Sequence, residues 1–210
     1  MVLSEPDSNR APRLFLISGV AGAGKSTLAK QVAIELEFDR IASTDTIREV
    51  LRTASNPSEN PALHRSTFSQ GSTGDANTDW LDASAAVESG IEAVISRARR
   101  EGIDIIVEGA HIIPSNRILN EWREQGGVAI GITLAIDNQV VHEERIVERE
   151  AHSHRGASRY LAAFARIRTI QTGLITRAKG ADWKIIDTHL HTDNVEKIRQ
   201  WLNEAWYHQR

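Results

Sequence analysis

The octapeptide Gly19-Val20-Ala21-Gly22-Ala23-Gly24-Lys25-Ser26 constrains this chain more than any other stretch. It satisfies the pattern G-x-x-x-x-G-K-[ST] at every fixed position. Its flanks agree with it. Leu14 to Ile17 form a short apolar run, as in a parallel strand buried on both faces. From Thr27 to Leu36, apolar Leu28, Val32 and Leu36 recur every four residues, the repeat of one helix face. Strand, glycine-rich turn and helix form a phosphate-binding loop. The glycines let the backbone approach an anion closely, and successive amides with the helix N-terminus then face phosphate oxygens. Lys25 would reach the β- and γ-phosphates, and the Ser26 hydroxyl would sit on Mg²⁺. Gly19, Ala21, Gly22, Ala23, Gly24, Lys25, Ser26 and Thr27 are therefore the residues expected to bind a nucleoside triphosphate, ATP or GTP.

At 210 residues the chain suits one domain, or one domain with a small lid. Residues 1–12 are polar, carry two prolines and read as a flexible lead, leaving 13–210 as the domain. A net charge of −3 disfavours a nucleic-acid partner, and no apolar run approaches the length of a membrane span. The absence of cysteine excludes disulfides and thiolate metal sites and is compatible with the cytoplasm, the expected location. Monomer and homodimer both stay open.

Beyond the loop, strands and helices alternate. Strands are expected near 41–43, 103–107, 127–136 and 183–187. Helices are expected over 46–52, 79–100, 115–125, 138–150, 157–179 and 193–207. The 79–100 helix ends at Gly102, and the 157–179 helix takes Gly180 as its stop. The apolar face of the 79–100 helix is read as Leu81, Ala85, Val87, Ile91, Val94, Ile95 and Ala98. Residues 55–78 form a Ser-, Asn-, Pro- and Gly-rich loop with one helical turn around 63–68. This alternation predicts an α/β fold, a five-stranded parallel sheet with helices on both faces. Ligands of such sheets sit outside the carboxyl ends of the strands, where the loop, Asp45, Glu108 and Asp187 fall together.

Asp45 suits a general base or a substrate-orienting carboxylate, since an acceptor hydroxyl must lose its proton in phosphoryl transfer; helix capping is its structural alternative. Glu108 ends an apolar run, where a carboxylate needs a partner. It could hold Mg²⁺ through water, bind the acceptor or pair with an arginine. Arg145 and Arg149 share a helix face, with Arg155 and Arg159 beyond. They read as a lid over about 145–159 whose arginines close on the transferring phosphoryl group, against the alternative of a solvated charged face. The pairs His152/His154 and His189/His191 could bind a metal on an extended segment, but no third ligand clusters with them. The five tryptophans read as packing residues.

The segments Ser43 to Arg52 (STDTIREVLR), Leu63 to Phe68 (LHRSTF), Ile106 to Pro114 (IVEGAHIIP), Arg159 to Leu161 (RYL) and Ile167 to Gln171 (IRTIQ) together resemble the 2-phosphoglycerate kinases. They are collinear with that family over about residues 13–190. The resemblance implies a P-loop kinase fold. It also implies ATP- and Mg²⁺-dependent phosphorylation of the 3-hydroxyl of 2-phosphoglycerate, giving 2,3-bisphosphoglycerate. A small, strongly anionic acceptor would suit Arg48, Arg52, Arg145, Arg149 and Arg155, and the substrate-binding residues would be Asp45, Arg48, Arg52, Glu108, Gly109, His111 and Arg155. Lys25, Asp45, Arg145 and Arg149 would be the catalytic set. Alternatives are a kinase for another hydroxy acid, alcohol, nucleotide or nucleic-acid end, and a nucleotide-dependent switch that orders the 55–78 loop.

Overall fold

A computed structural model describes residues 10–151, 157–190 and 193–208. Five strands form one parallel sheet: β1 (Arg13–Gly19), β2 (Arg40–Ser43), β3 (Ile105–Gly109), β4 (Val128–Ala135) and β5 (Lys184–Asp187), in the order β2-β3-β1-β4-β5. The helices are α1 (Lys25–Glu35), α2 (Thr44–Thr53), α3 (Pro61–His64), α4 (Ala76–Glu101), α5 (Arg117–Arg123), α6 (Gln139–Ala151), α7 (Ser158–Ala162), α8 (Phe164–Gly180) and α9 (Asn194–Tyr207). The parallel α/β architecture matches the sequence reading.

Alternation along β1 divides the core. Leu14 and Leu16 pack with Val87, Ile91 and Ile95 of α4 and with Leu119 and Trp122 of α5. Phe15 and Ile17 point the other way, against α1 (Leu28, Val32) and α9 (Ile198, Leu202). A third cluster joins Ala21 of the loop to Phe68, Trp80, Ala110, Ile146, Tyr160 and Phe164. That cluster joins α6, α7 and α8 to the 55–78 segment.

Several boundaries differ from expectation, each for a local reason. β3 begins at Ile105 because Gly102 (φ 66) ends α4 and the Ile103 amide bonds back to the Ala98 carbonyl. Glu108 and Gly109 are therefore inside the sheet. α4 starts three residues early, since the Asp75 carboxylate caps it by accepting from the Thr78 amide at 2.8 Å. Its buried face includes Trp80, Ala83 and Ser84, while Ala85 is exposed. The helix expected over 157–179 is two helices, broken at Ala163 (φ −93, ψ 5), so that Tyr160 and Phe164 can both be buried. Gly180 belongs to α8. The reversal comes at Asp182 (φ 55), and the Trp183 amide closes on the Ala178 carbonyl at 2.9 Å.

Residues 10–12, expected within the flexible lead, are tied to the domain. Arg10 and Arg13 pair with buried Asp104, and the Pro12 carbonyl accepts from the Val128 amide and from Trp122 Nε1, each at 2.9 Å.

Candidate functional site

The phosphate-binding loop leaves β1 at Gly19 and enters α1 at Lys25. Gly22 (φ 81) and Gly24 (φ 84) adopt the left-handed backbone that favours glycine. Gly24 is also the N-cap of α1 and brings no capping side chain, so the first-turn amides face the loop's concavity. The loop is braced from α6. A Cβ on Gly22 would stand 2.9 Å from Ile146 Cγ1 and 3.2 Å from His142 Cδ2. His142 is fully buried and its Nε2 lies 2.7 Å from the Ala21 carbonyl oxygen. That oxygen can only accept, so Nε2 carries the proton and Nδ1 is left to accept from Arg168, at 3.4 Å. Burial, followed by the Arg168 and Arg145 charges, lowers the His142 pKa against the opposing Ala21 bond. Thr188 Oγ1 donates to the Ala23 carbonyl at 3.3 Å and accepts from Arg145 at 2.6 Å. The β5–α9 loop thereby joins α6 to the phosphate loop.

Lys25 donates to the Val20 carbonyl at 2.9 Å. Burial lowers its pKa most, and the neighbouring carboxylates Glu108 and Asp45 oppose that shift. Glu108 lies on β3, beside Ile17 of β1 and Ser43 of β2, with 5% exposure. Its Oε1 accepts from Ser26 Oγ at 2.9 Å. A hydroxyl and a carboxylate at the mouth of a phosphate cradle are hard oxygen donors. They fit a Mg²⁺ ion held otherwise by nucleotide phosphates.

Asp45 is in the first turn of α2, and Ser43 is the cap of that helix, accepting from the Asp45 amide at 3.3 Å. The Asp45 carboxylate is 74% exposed and open to a ligand. Gly109 is needed because a Cβ there would fall 1.7 Å from Thr44 Oγ1. The next carbonyl, of Ala110, accepts from Trp80 Nε1 at 2.7 Å.

Two chambers meet at the loop. The larger, about 520 Å³, is lined by Gly22, Gly24, Lys25, Ser26, Thr27, Leu28, Gln31, Arg145, Glu148, Arg149, Thr188 and Asn194. The smaller, about 250 Å³, is lined by Ala21, Lys25, Asp45, Phe68, Ala110, Arg149, Glu150 and Tyr160. Lys25 and Arg149 belong to both. Arg149 donates from Nε to Glu150 at 2.8 Å, and its guanidinium lies 4.9 Å from the centre of the Tyr160 ring.

Other sequence candidates fall elsewhere. Arg48 donates to the Leu63 carbonyl at 2.9 Å and to the Arg65 carbonyl, acting as a strut for the 63–65 segment. Arg52 pairs with Glu49 at 2.9 Å. His111 has no exposed side-chain surface, and its ring nitrogens each lie 2.9 Å from a threonine hydroxyl, those of Thr44 and Thr67. It stands behind the chamber wall, with Nδ1 3.8 Å from Asp45 Oδ1. Asp187 accepts from the Asp137 and His189 amides at 3.0 and 2.8 Å, stapling two loops. Arg155, His152, His154 and His191 lie outside the described residues.

Sequence reading overlooked Asp79, which is 1% exposed. It accepts from the Gly71 and Thr73 amides at 2.7 and 3.1 Å, from Thr73 Oγ1 at 2.8 Å and from Arg166 at 2.8 Å. Burial works against ionisation here, but these donors outweigh it and hold the carboxyl well below the usual carboxylate range. The signal available in the sequence was an acid on the buried face of an amphipathic helix. Among the described residues no three His, Cys, Asp or Glu cluster as metal ligands, and no helix is long and apolar enough to cross a membrane.

A 2-3-1-4-5 parallel sheet with this cradle at the carboxyl end of β1 defines a P-loop kinase fold. Two solved kinases share it: a shikimate kinase from Acinetobacter baumannii (TM-score 0.53, 14% identity, 92% of this chain and 94% of that one) and a gluconokinase from Sinorhizobium meliloti 1021 (TM-score 0.52, 15% identity, 95% and 94%). At these identities the likeness concerns fold alone. The chain belongs to the family described as AAA domain, whose model matches residues 14–174. It is similar to the 2-phosphoglycerate kinase of Pyrococcus horikoshii, at 33% identity over 198 residues, covering 91% of this chain and 64% of that protein. The chain spans 61–64% of the length of the first curated relatives it matches.

Proposed function

We propose that the protein is an ATP- and Mg²⁺-dependent kinase acting on the hydroxyl of a small anionic metabolite, and that its acceptor is 2-phosphoglycerate. The observation that carries this reading is the pair of chambers sharing Lys25 and Arg149, with Asp45 in the smaller one. In this reading the larger chamber takes ATP and the smaller takes the acceptor. The γ-phosphoryl group then lies where the two meet.

Asp45 accepts the acceptor's hydroxyl proton as that oxygen bonds to the γ-phosphorus. The bond from phosphorus to the β,γ-bridging oxygen breaks, and ADP leaves. Lys25 and Arg149 lie where negative charge is shared between donor and acceptor, the placement that lowers such a barrier. Ser26 and Glu108 would hold Mg²⁺, which supplies charge neutralisation on the phosphates when bound. The kinship with 2-phosphoglycerate kinases supports the choice of acceptor, and the modest size of the smaller chamber suits a small one.

The test is ADP release measured with 2-phosphoglycerate, 3-phosphoglycerate, glycerate and an oligonucleotide 5′-hydroxyl. Turnover stimulated most by 2-phosphoglycerate is expected. Release independent of every acceptor would point to a nucleotide-dependent switch and reject the kinase reading.

A further inference from the structure

Behind the smaller chamber one imidazole connects its two walls. Thr44, fully buried, is the first residue of α2 and precedes Asp45. Thr67, 5% exposed, precedes Phe68, which lines the chamber opposite. His111, at the end of the β3 segment, lies between them with each ring nitrogen 2.9 Å from one hydroxyl. Arg48 ties α2 to residues 63–65 of the same segment, and the imidazole adds a tie at Thr67, next to Phe68.

The chemistry gives this bridge a sense. A neutral imidazole has one N–H and one bare nitrogen, so one hydroxyl accepts from it and the other donates to it. Both threonines are removed from water, and a lost bond leaves its hydroxyl without a replacement partner. Room for the bridge depends on Gly109, whose missing Cβ is the space that Thr44 Oγ1 occupies.

We propose that His111 is a positioning residue that sets the carboxylate wall and the Phe68 wall of the acceptor chamber against each other through Thr44 and Thr67. It acts through Asp45 and Phe68 and touches neither nucleotide nor acceptor. The proposal rests on the reading of the smaller chamber as the acceptor site.

Three variants of the full chain separate its parts: Thr67→Val, His111→Asn and His111→Gln. Asparagine places its amide near the Nδ1 position and keeps the Thr44 contact. Glutamine reaches the Nε2 position and keeps the Thr67 contact. With ATP and 2-phosphoglycerate, Thr67→Val and His111→Asn are expected to raise the acceptor KM about tenfold while kcat falls less and the ATP KM stays within threefold. His111→Gln is expected to recover most of the acceptor KM and to lose kcat instead, because Asp45 is then no longer held through Thr44. A structural residue would lower Tm without this KM-against-kcat split, and that result would overturn the proposal.

Amide hydrogen exchange over residues 66–71, measured on the same proteins without substrate, is expected to be at least tenfold faster in Thr67→Val than in the wild type. Unchanged exchange there also overturns the proposal. This readout is independent of turnover: a wild type inactive on every acceptor removes the kinase reading, while exchange still decides the bridge.

Discussion

Replacing Gly109 by alanine places an atom where the structure has no room. The new Cβ would be 1.7 Å from Thr44 Oγ1, 2.7 Å from Thr44 Cβ and 2.8 Å from Thr44 Cγ2. Reaching an ordinary 3.4 Å contact requires the Thr44 hydroxyl to retreat by about 1.7 Å. Its 2.9 Å bond to His111 cannot survive that movement. Overpacking of this kind costs about 1–3 kcal/mol. The orphaned hydroxyl and ring nitrogen add about 1–3 kcal/mol. Together these predict a loss of about 4 kcal/mol, and a Tm lower by about 12 °C for a domain of this size. Urea unfolding of the variant measures it directly. Thr44→Ala removes two of the three clashing atoms, so Gly109→Ala should cost about 2 kcal/mol less in that background. Gly180→Ala is the control, in α8 with no heavy atom within 4 Å of its new Cβ. It should stabilise by about 0.5–1 kcal/mol. A Gly109→Ala cost below about 1 kcal/mol, or strict additivity with Thr44→Ala, would refute the assigned clash.

Steady-state kinetics of Lys25→Ala should show kcat lower by about 10²–10³-fold, from the loss of charge stabilisation. Asp45→Asn should cost about 10²–10⁴-fold with unchanged unfolding, and a kcat equal to wild type would remove the base assignment. His142→Ala leaves the Ala21 carbonyl without its buried donor and should raise the ATP KM about tenfold, with the acceptor KM nearly constant; equal effects on both substrates would argue against a role at the loop. Burial, opposed by Asp45 and aided by Arg48 and Lys25, pushes the His111 pKa down from 6.5 to about 4. The unfolded chain therefore binds more protons than the folded one between those values, so stability is full above pH 6.5 and falls as pH drops towards 4. The His111 share is about 3 kcal/mol, and urea unfolding from pH 7 to 4 should show a shallower fall in His111→Gln. Identical slopes would contradict the assignment.

The sheet, the loop and most helices were legible because each rests on local chemistry: apolar runs for β1 and β4, four-residue repeats for α1 and α4. The motif Gly19 to Ser26 also carried its own geometry, since glycine at positive φ and the lysine at the helix start are local requirements. What stayed hidden depended on distant contacts. Nothing near Ala163 in the sequence marks the break between α7 and α8, which exists so that two aromatic rings can be buried together. Arg48 has the spacing of an anion-binding residue, yet the carbonyls of Leu63 and Arg65 claim its guanidinium. His111 was recognised as part of a motif, but its function as a bridge required Thr44 and Thr67, which lie 67 and 44 residues away. Asp79 lies on the same face of α4 as Ala83 and Val87, but its partners at Gly71, Thr73 and Arg166 come from other segments.

The reaction proposed for this site is transfer of the ATP γ-phosphoryl group to an acceptor hydroxyl held beside Asp45. Phosphorus NMR of a reaction containing the protein, ATP, Mg²⁺ and 2-phosphoglycerate reads it most directly. The two monoester resonances of 2,3-bisphosphoglycerate are expected to grow in step with ADP and to be lost in Asp45→Asn. Growth of ADP and inorganic phosphate alone, unaffected by adding 2-phosphoglycerate, would contradict it.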